Sequence, residues 1–424
     1  MEICFILAYS CFFSLLIYTH PFFKKAGIPI KWLLLIYILK IIAGLAYNQF
    51  HLIGDAGNRA ADAQYILSAL VEHPISVLKF LFLPDFMWDS FELQPYRSQF
   101  FVPDGFHSEY TLIRVYTIGM LVTGGYFNGV IPIIGFLMLI ANINYFNLFK
   151  KEFPNLNTTF LLMIICLTPS LTFFTAGLYK EALIYIGIGL ILTNLWHLLN
   201  IGKSWKRVAY ILVGIYFIGL FRWLDLFLYL PVFLTYALLH KSTEKVFFKY
   251  LGILLTLLVI ALLLDFLVDR VDVFQILDNR KSITLGGNAR SSFETPDWRG
   301  SGVLLFFYLP GAVFNALFRP FIWNAGNLFQ LVGGLETFLL FLLIFFCLFY
   351  RKKQLLMTPL MGFLLFASIS RLSFVGLFIE NSGTIIRHRT EVLTFIILFV
   401  IAYFLDTDKI KTKFNNFINV KHSN

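Results

Sequence analysis

From its first residues to about Phe404 the chain alternates long apolar runs with short polar breaks. Runs of this kind read as membrane-spanning helices, because roughly 20 predominantly apolar residues cross a bilayer core. The pattern predicts spans at about Ile3–Tyr18, Trp32–Ala46, Phe127–Phe149, Thr158–Phe174, Leu183–Leu199, Val208–Phe221, Phe227–Leu239, Tyr250–Val268, Val332–Tyr350, Leu355–Ser370 and Val392–Phe404. Two further apolar segments are short: Tyr110–Val122, which contains Arg114, and Val303–Phe318, which Pro310 and Gly311 interrupt. Both are predicted to be interfacial or re-entrant. The fold class is therefore all-α, a polytopic transmembrane helical bundle of about eleven spans.

Basic residues orient the bundle. With Tyr110–Val122 outside the count of spans, Lys24, Lys25 and Lys31, Lys150 and Lys151, Lys203, Lys206 and Arg207, Lys241, Lys245 and Lys249, Arg351 to Lys353, and the tail lysines 409, 411, 413 and 421 all fall on one side. That side is the cytoplasm, the N-terminus lies outside and the C-terminus inside. The chain reads as one integral membrane domain, 1–424. Its parts are two spans (1–49), an external loop with interfacial helices (50–126), central spans (127–268), a second external region (269–331), and three last spans with a basic tail (332–424).

The first external loop opens on Gly54-Asp55-Ala56-Gly57-Asn58-Arg59-Ala60-Ala61-Asp62-Ala63-Gln64-Tyr65. A helix over Ala56–Leu70 would put Asp55 and Asp62 on one face, with Ile66, Leu67, Ala69 and Leu70 as an apolar stripe, and would hold the carboxylates at the water boundary. The loop carries further acids (Asp85, Asp89, Glu92, Asp104, Glu109) among many aromatic residues, a composition suited to packing at lipid headgroups. Cations recur at later span ends: Lys180, Arg222, Arg319, Arg371, Arg387 and Arg389. The break Arg222-Trp223-Leu224-Asp225 reads as an ion-paired tight turn, and Arg371–Glu391 as a last external loop.

Composition narrows the class. At 58% hydrophobic and 14% charged, with 50 Phe in 424 residues, the chain is no soluble globular protein. The formal charge of +10 would suggest nucleic acid elsewhere, but here the basic residues sit between spans, so lipid is the partner and nucleic acid is not. Cys4, Cys11, Cys166 and Cys347 all lie in apolar runs and point to neither disulfides nor metal; the histidines, His388 included, show no ligand spacing, so no metal site is predicted.

An acid near several cations at a lipid boundary suits a reaction in which a hydroxyl loses its proton and a phosphate departs. Gly54-Asp55 with Tyr65, just beyond an early outward span and leading into an interfacial helix, resembles the GT-C class of membrane glycosyltransferases. Pro169-Ser170 through Gly177-Leu178-Tyr179-Lys180-Glu181, and Asn381-Ser382-Gly383-Thr384-Ile385-Ile386-Arg387-His388-Arg389, are similar to stretches in multispan proteins of bacterial surface-polysaccharide assembly.

The resemblance implies transfer of a sugar from a polyprenyl-phosphate carrier to a glycan, lipid or protein acceptor on the outer face of a bacterial inner membrane. It implies no cofactor beyond the carrier-linked donor, and whether a divalent cation assists stays open. Asp55, or its rival Asp62, would be the catalytic base. Arg222, Arg319, Arg371, Arg387 and Arg389 would bind phosphate, with Arg59, Tyr65, Lys180, Glu181 and His388 in support. The chain departs from the class in having no Asp-Glu or Asp-x-Asp pair at Asp55 and in carrying one extra span before it. Asp55 as a plain helix N-cap, Lys180 and Glu181 as polar groups at a helix start, and Arg387 and Arg389 on anionic headgroups are the competing structural readings. Competing functions are an O-antigen-type polymerase or ligase, with its base in the second long loop, and a transporter of lipid-linked glycans.

Overall fold

The computed structural model describes residues 1–51, 55–83, 91–101, 107–267, 275, 279, 281, 292–293, 295, 297, 302–406 and 409. Among them there is no strand, only the isolated bridges Ser292 with Asn381 and Arg351 with Leu405. Seven helices are long and apolar enough to cross a membrane: Glu2–Thr19, Ile30–Gln49, Phe127–Glu152, Lys180–Asn200, Trp205–Leu239, Leu328–Phe349 and Pro359–Phe378. Thr158–Leu167, Val246–Ile260 and Phe307–Phe318 are shorter apolar helices. Large apolar side chains stand exposed along them; on Leu328–Phe349 these include Leu335, Leu339, Leu342, Phe345 and Phe349. Such a stripe is uncovered protein surface in water but ordinary surface in lipid. The chain is an integral, multi-pass, all-α membrane protein.

Read as one domain from sequence, the chain groups into two compact units, residues 1–148 with 165–226, and residues 149–164 with 227–424.

In the first unit the predicted surface helix is present as Asp55–Glu72, followed by Pro74–Phe82 with proline in its first turn. The helix Asp55–Glu72 packs on His107–Val122, the segment read as interfacial. The predicted span Thr158–Phe174, whose residues up to 164 belong to the second unit, is two pieces, Thr158–Leu167 and Pro169–Phe174, because Pro169 cannot continue the helix before it. The predicted break near Arg222 is a single residue out of helical geometry, Arg222 at φ −152° and ψ 79° within Trp205–Leu239. The bend there is sharp enough that Leu226 Cδ1 lies 2.9 Å from where a Cβ on Gly219 would stand. Helices Lys180–Asn200 and Trp205–Leu239 cross backbone to backbone, since a Cβ on Gly214 would stand 2.7 Å from the Gly187 carbonyl oxygen. Small residues at such crossings let membrane helices approach closely.

In the second unit, Pro359–Phe378 is the centre, packed on both Gly302–Phe318 and Ser382–Phe404. Each start is capped: Thr358 accepts from the Met361 amide ahead of Pro359, and Asn381 accepts from the Gly383 and Thr384 amides. Phe363 fills the middle against Phe233, Tyr236 and Phe395. One expectation is corrected here. Arg371–Glu391 is not an external loop: Arg371 belongs to Pro359–Phe378 and Glu391 to Ser382–Phe404, leaving a connection of only Ile379 to Asn381. Helix persists because Arg371 and Glu391 neutralise each other within it, at 3.4 Å, so neither charge drives the segment into water.

Candidate functional site

The first unit holds a chain of buried charges. Arg59, on the helix Asp55–Glu72, pairs with Glu109 on His107–Val122, and Lys180 pairs with the other oxygen of the same carboxylate. Glu181, the next residue, is fully buried and pairs with Arg222, whose guanidinium also lies 3.8 Å from Asp225. The Gly187–Gly214 crossing sets this up. The two helices run antiparallel from it, so the start of one comes level with the bend of the other. The charge pairing predicted within the Arg222–Asp225 turn is thus real but secondary to Glu181.

Glu109 sits between two cations. Burial raises its carboxyl pKa, but Lys180 and Arg59 outweigh burial and hold it below the usual carboxylate range. A carboxyl depressed on folding lends stability that is present above its unfolded value near pH 4.5 and is lost as pH falls through the lower folded value. Glu109→Gln is therefore expected to lose the acid-side part of the stability profile. Thermal melts of purified protein between pH 5 and pH 3 should fall steeply for the native chain and more gently for the variant.

The sequence placed Asp62 at the water boundary, and that placement is corrected. Asp62 is fully buried and accepts the Phe101 amide at 2.8 Å, so its helix turns that carboxylate inward toward the 91–101 stretch. Asp55 opens the helix, but its side chain lies outside the described residues, as do Gly54, Asp85, Asp89 and Asp104. Tyr65 is half-buried on the same helix and makes no polar side-chain contact among the described residues.

Lys40 is the residue the sequence reading passed over. It sits inside the helix Ile30–His51, 1% exposed, and donates to the Leu171 and Thr172 carbonyls at 3.0 and 3.3 Å and to the Thr175 hydroxyl. These carbonyls lie toward the C-terminal end of Pro169–Phe174, where the Leu171 carbonyl also accepts the Thr175 amide at 3.3 Å. Two turns on, Asn48 accepts the Tyr179 hydroxyl and donates to Asn128 at 2.8 Å. The irregular stretch Thr175–Tyr179 is thus pinned by a lysine and an asparagine of one neighbouring helix. The signal was available, since a lone lysine deep in an apolar run is costly and requires a partner.

The second unit holds the remaining arginines, and they differ in what balances them. Arg371, 1% exposed, faces Glu391 and His388; Nη2 lies 3.2 Å from the His388 ring nitrogen, and the Tyr229 hydroxyl reaches Glu391 at 3.4 Å. Arg389, fully buried, donates through Nη1 to the Leu317 and Arg319 carbonyls at 3.0 and 2.6 Å, with Glu336 at 3.9 Å. It caps the C-terminal end of Gly302–Phe318, where a cation is favoured. Arg387 is half-buried two residues earlier, on a different face of the helix.

Arg319 stands apart. Its Nε donates to Asn315 at 3.0 Å, and its guanidinium lies 4.2 Å from the Phe293 ring and 5.4 Å from Phe321. It has no carboxylate partner among the described residues, and burial pushes its pKa down. Beside it, a cavity of about 110 Å³ runs between Gly302–Phe318 and Pro359–Phe378. Phe307, Tyr308, Ala312 and Leu377 make it apolar, and Asn315 and Thr295 are its polar groups. Of the second long loop, Lys281 and Thr295 are described: both bond the Glu380 carboxylate, Lys281 at 2.7 Å. Asp272, Asp278, Arg280, Arg290, Glu294 and Arg299 lie outside the described residues.

Among the described residues no group of His, Cys, Asp and Glu is placed to hold a metal ion. Comparison of the chain with known protein families, with curated proteins and with solved structures finds no match.

Proposed function

We propose that the chain is a membrane transferase that moves a sugar from a polyprenyl-phosphate carrier to an acceptor on the outer face of the membrane. The observation that supports this reading best is Arg319: a cation with no carboxylate to balance it among the described residues, held between two aromatic rings, beside an apolar slot between two helices. A guanidinium so placed suits a ligand that joins a phosphate to a hydrocarbon chain, because it offers bidentate donors to the first and the slot accepts part of the second. Arg222, Arg371 and Arg389 already face carboxylates, so their first work is to hold the fold.

A second reading, a polymerase or ligase acting on the same carriers, draws support from the Lys281, Thr295 and Glu380 cluster, since it brings part of the second long loop to the same slot. Transport is less favoured. The one mid-span lysine noted above, Lys40, is committed to backbone carbonyls, whereas a carrier would keep such a charge for its cargo.

The test is mass analysis of lipid-linked glycans from cells lacking the gene and complemented with variants. Arg319→Gln is expected to leave carrier-linked sugar unused, with product down at least tenfold. Asp55→Asn, with expression checked, tests the acid to which the GT-C resemblance points. A carrier and glycan profile identical with and without the gene would end the transferase reading.

A further inference from the structure

We propose that Glu380 is the general base that takes the proton of the acceptor hydroxyl, so that the second unit carries both the charge that receives the departing phosphate and the group that activates the attacking oxygen. The inference rests on the transferase reading and gives that site its second half.

Four observations converge. Glu380 lies just beyond the Ile379 cap of the helix Pro359–Phe378 and its side chain is 15% exposed, so it is neither sealed in the core nor free in solvent. Lys281, with 0% of its side chain exposed, holds the carboxylate at 2.7 Å, and the Thr295 hydroxyl donates to the same oxygen. Among the described residues both contacts go to one carboxylate oxygen, which leaves the other open in an orientation that the two contacts fix. Thr295 in turn lines the slot, so Glu380 stands one hydroxyl away from it. Phe293 then ties the two halves together: its amide donates to the Glu380 carbonyl at 2.8 Å, while its ring lies 4.2 Å from the Arg319 guanidinium. One residue thus touches both the backbone of the acid and the Arg319 guanidinium.

The chemistry balances with these groups alone. The acceptor O–H gives its proton to Glu380 as the oxygen forms a bond to the anomeric carbon. The bond from that carbon to the phosphate oxygen breaks, its electron pair leaves on the phosphate, and Arg319 stabilises the charge that develops there. Lys281 aims the carboxylate and is a positioning residue.

The experiment uses the full-length protein and two readouts. In gene-deleted cells complemented with each variant, the glycan product is quantified by mass. On protein purified into nanodiscs, geranylgeranyl monophosphate binding is measured, with inorganic phosphate as the control for the phosphate alone. Glu380→Gln is expected to lower product at least a hundredfold while geranylgeranyl monophosphate binds within threefold of the native chain; Glu380→Asp should restore part of the product. Arg319→Gln should lose at least tenfold in binding as well as in product. Normal product from Glu380→Gln together with loss from Arg319→Gln would overturn Glu380 as the base and leave the transferase reading standing. Loss of binding and thermal stability in both Glu380→Gln and Glu380→Asp would make Glu380 structural and overturn it too. Normal product from both Glu380→Gln and Arg319→Gln would sink the site and the transferase reading with it.

Discussion

Replacing Gly376 with leucine is expected to abolish a folded second unit. A Cβ at this position would stand 1.9 Å from the Ala312 carbonyl oxygen, 2.4 Å from its carbon and 2.8 Å from its Cα. All three are backbone atoms of the helix Gly302–Phe318, so no side chain can swing aside to make room. Ordinary overpacking costs about 1–3 kcal/mol because neighbours yield. Here the two helices must separate along their contact, and every pair around it loses packing. Even Gly376→Ala is expected to lower the melting temperature clearly, by scanning fluorimetry in detergent. A control separates crowding from any loss of flexibility: Gly311, on the same facing helix, has open space around its Cβ position, and Gly311→Ala should melt close to the native protein. A Gly376→Leu protein that purifies as a monodisperse species with native stability would refute the close approach.

Much of the fold was legible because it follows from the cost of placing charge and backbone in hydrocarbon. Among the described residues each predicted span coincides at least in part with a helix, seven helices are long and apolar enough to cross a membrane, and the interruptions at Pro169 and Arg222 were visible as a proline and as a charged break. What was not legible is which charges are held inside. Hydropathy averages over a window, so Arg371 and Glu391, twenty residues apart in sequence, looked like the borders of a loop. Their pairing across two helices turns the same residues into an interior contact. Lys40 was hidden in the same way, by the apolar residues on either side of it.

The candidate site was legible in residue type and less so in arrangement. Arginine was the right side chain to search for, but sequence spacing could not say which arginines already have a counter-charge. Arg319 was singled out with four others; only contacts with Phe293, Asn315 and Phe321 set it apart. Glu380 was not singled out at all, since an acid between a span and an Asn-capped helix start carries no pattern of its own. Its significance comes from Lys281 and Thr295, both far away in sequence.

Glu391→Ala is expected to be among the most destabilising single changes in the second unit, whereas replacing Arg371 and Glu391 together with methionine and leucine is expected to be far milder. Arg371 is 1% exposed and Glu391 is fully buried, so truncating the acid leaves a guanidinium in a water-poor interior beside the His388 ring and carbonyl without its carboxylate partner. Breaking a buried pair from one side typically costs about 3–5 kcal/mol, while exchanging both partners for apolar residues of similar volume is often neutral or better. Thermal melts of the single and double variants measure the difference, and the double variant also decides what Arg371 is for. If its charge serves only the fold, Arg371→Met with Glu391→Leu keeps both its stability and its glycan product. If Arg371 also meets the carrier phosphate, as the sequence suggested, the double variant stays folded and loses product. That loss would place a second cation beside Arg319 in the chemistry, because a change that spares the fold and stops transfer cannot be explained by packing.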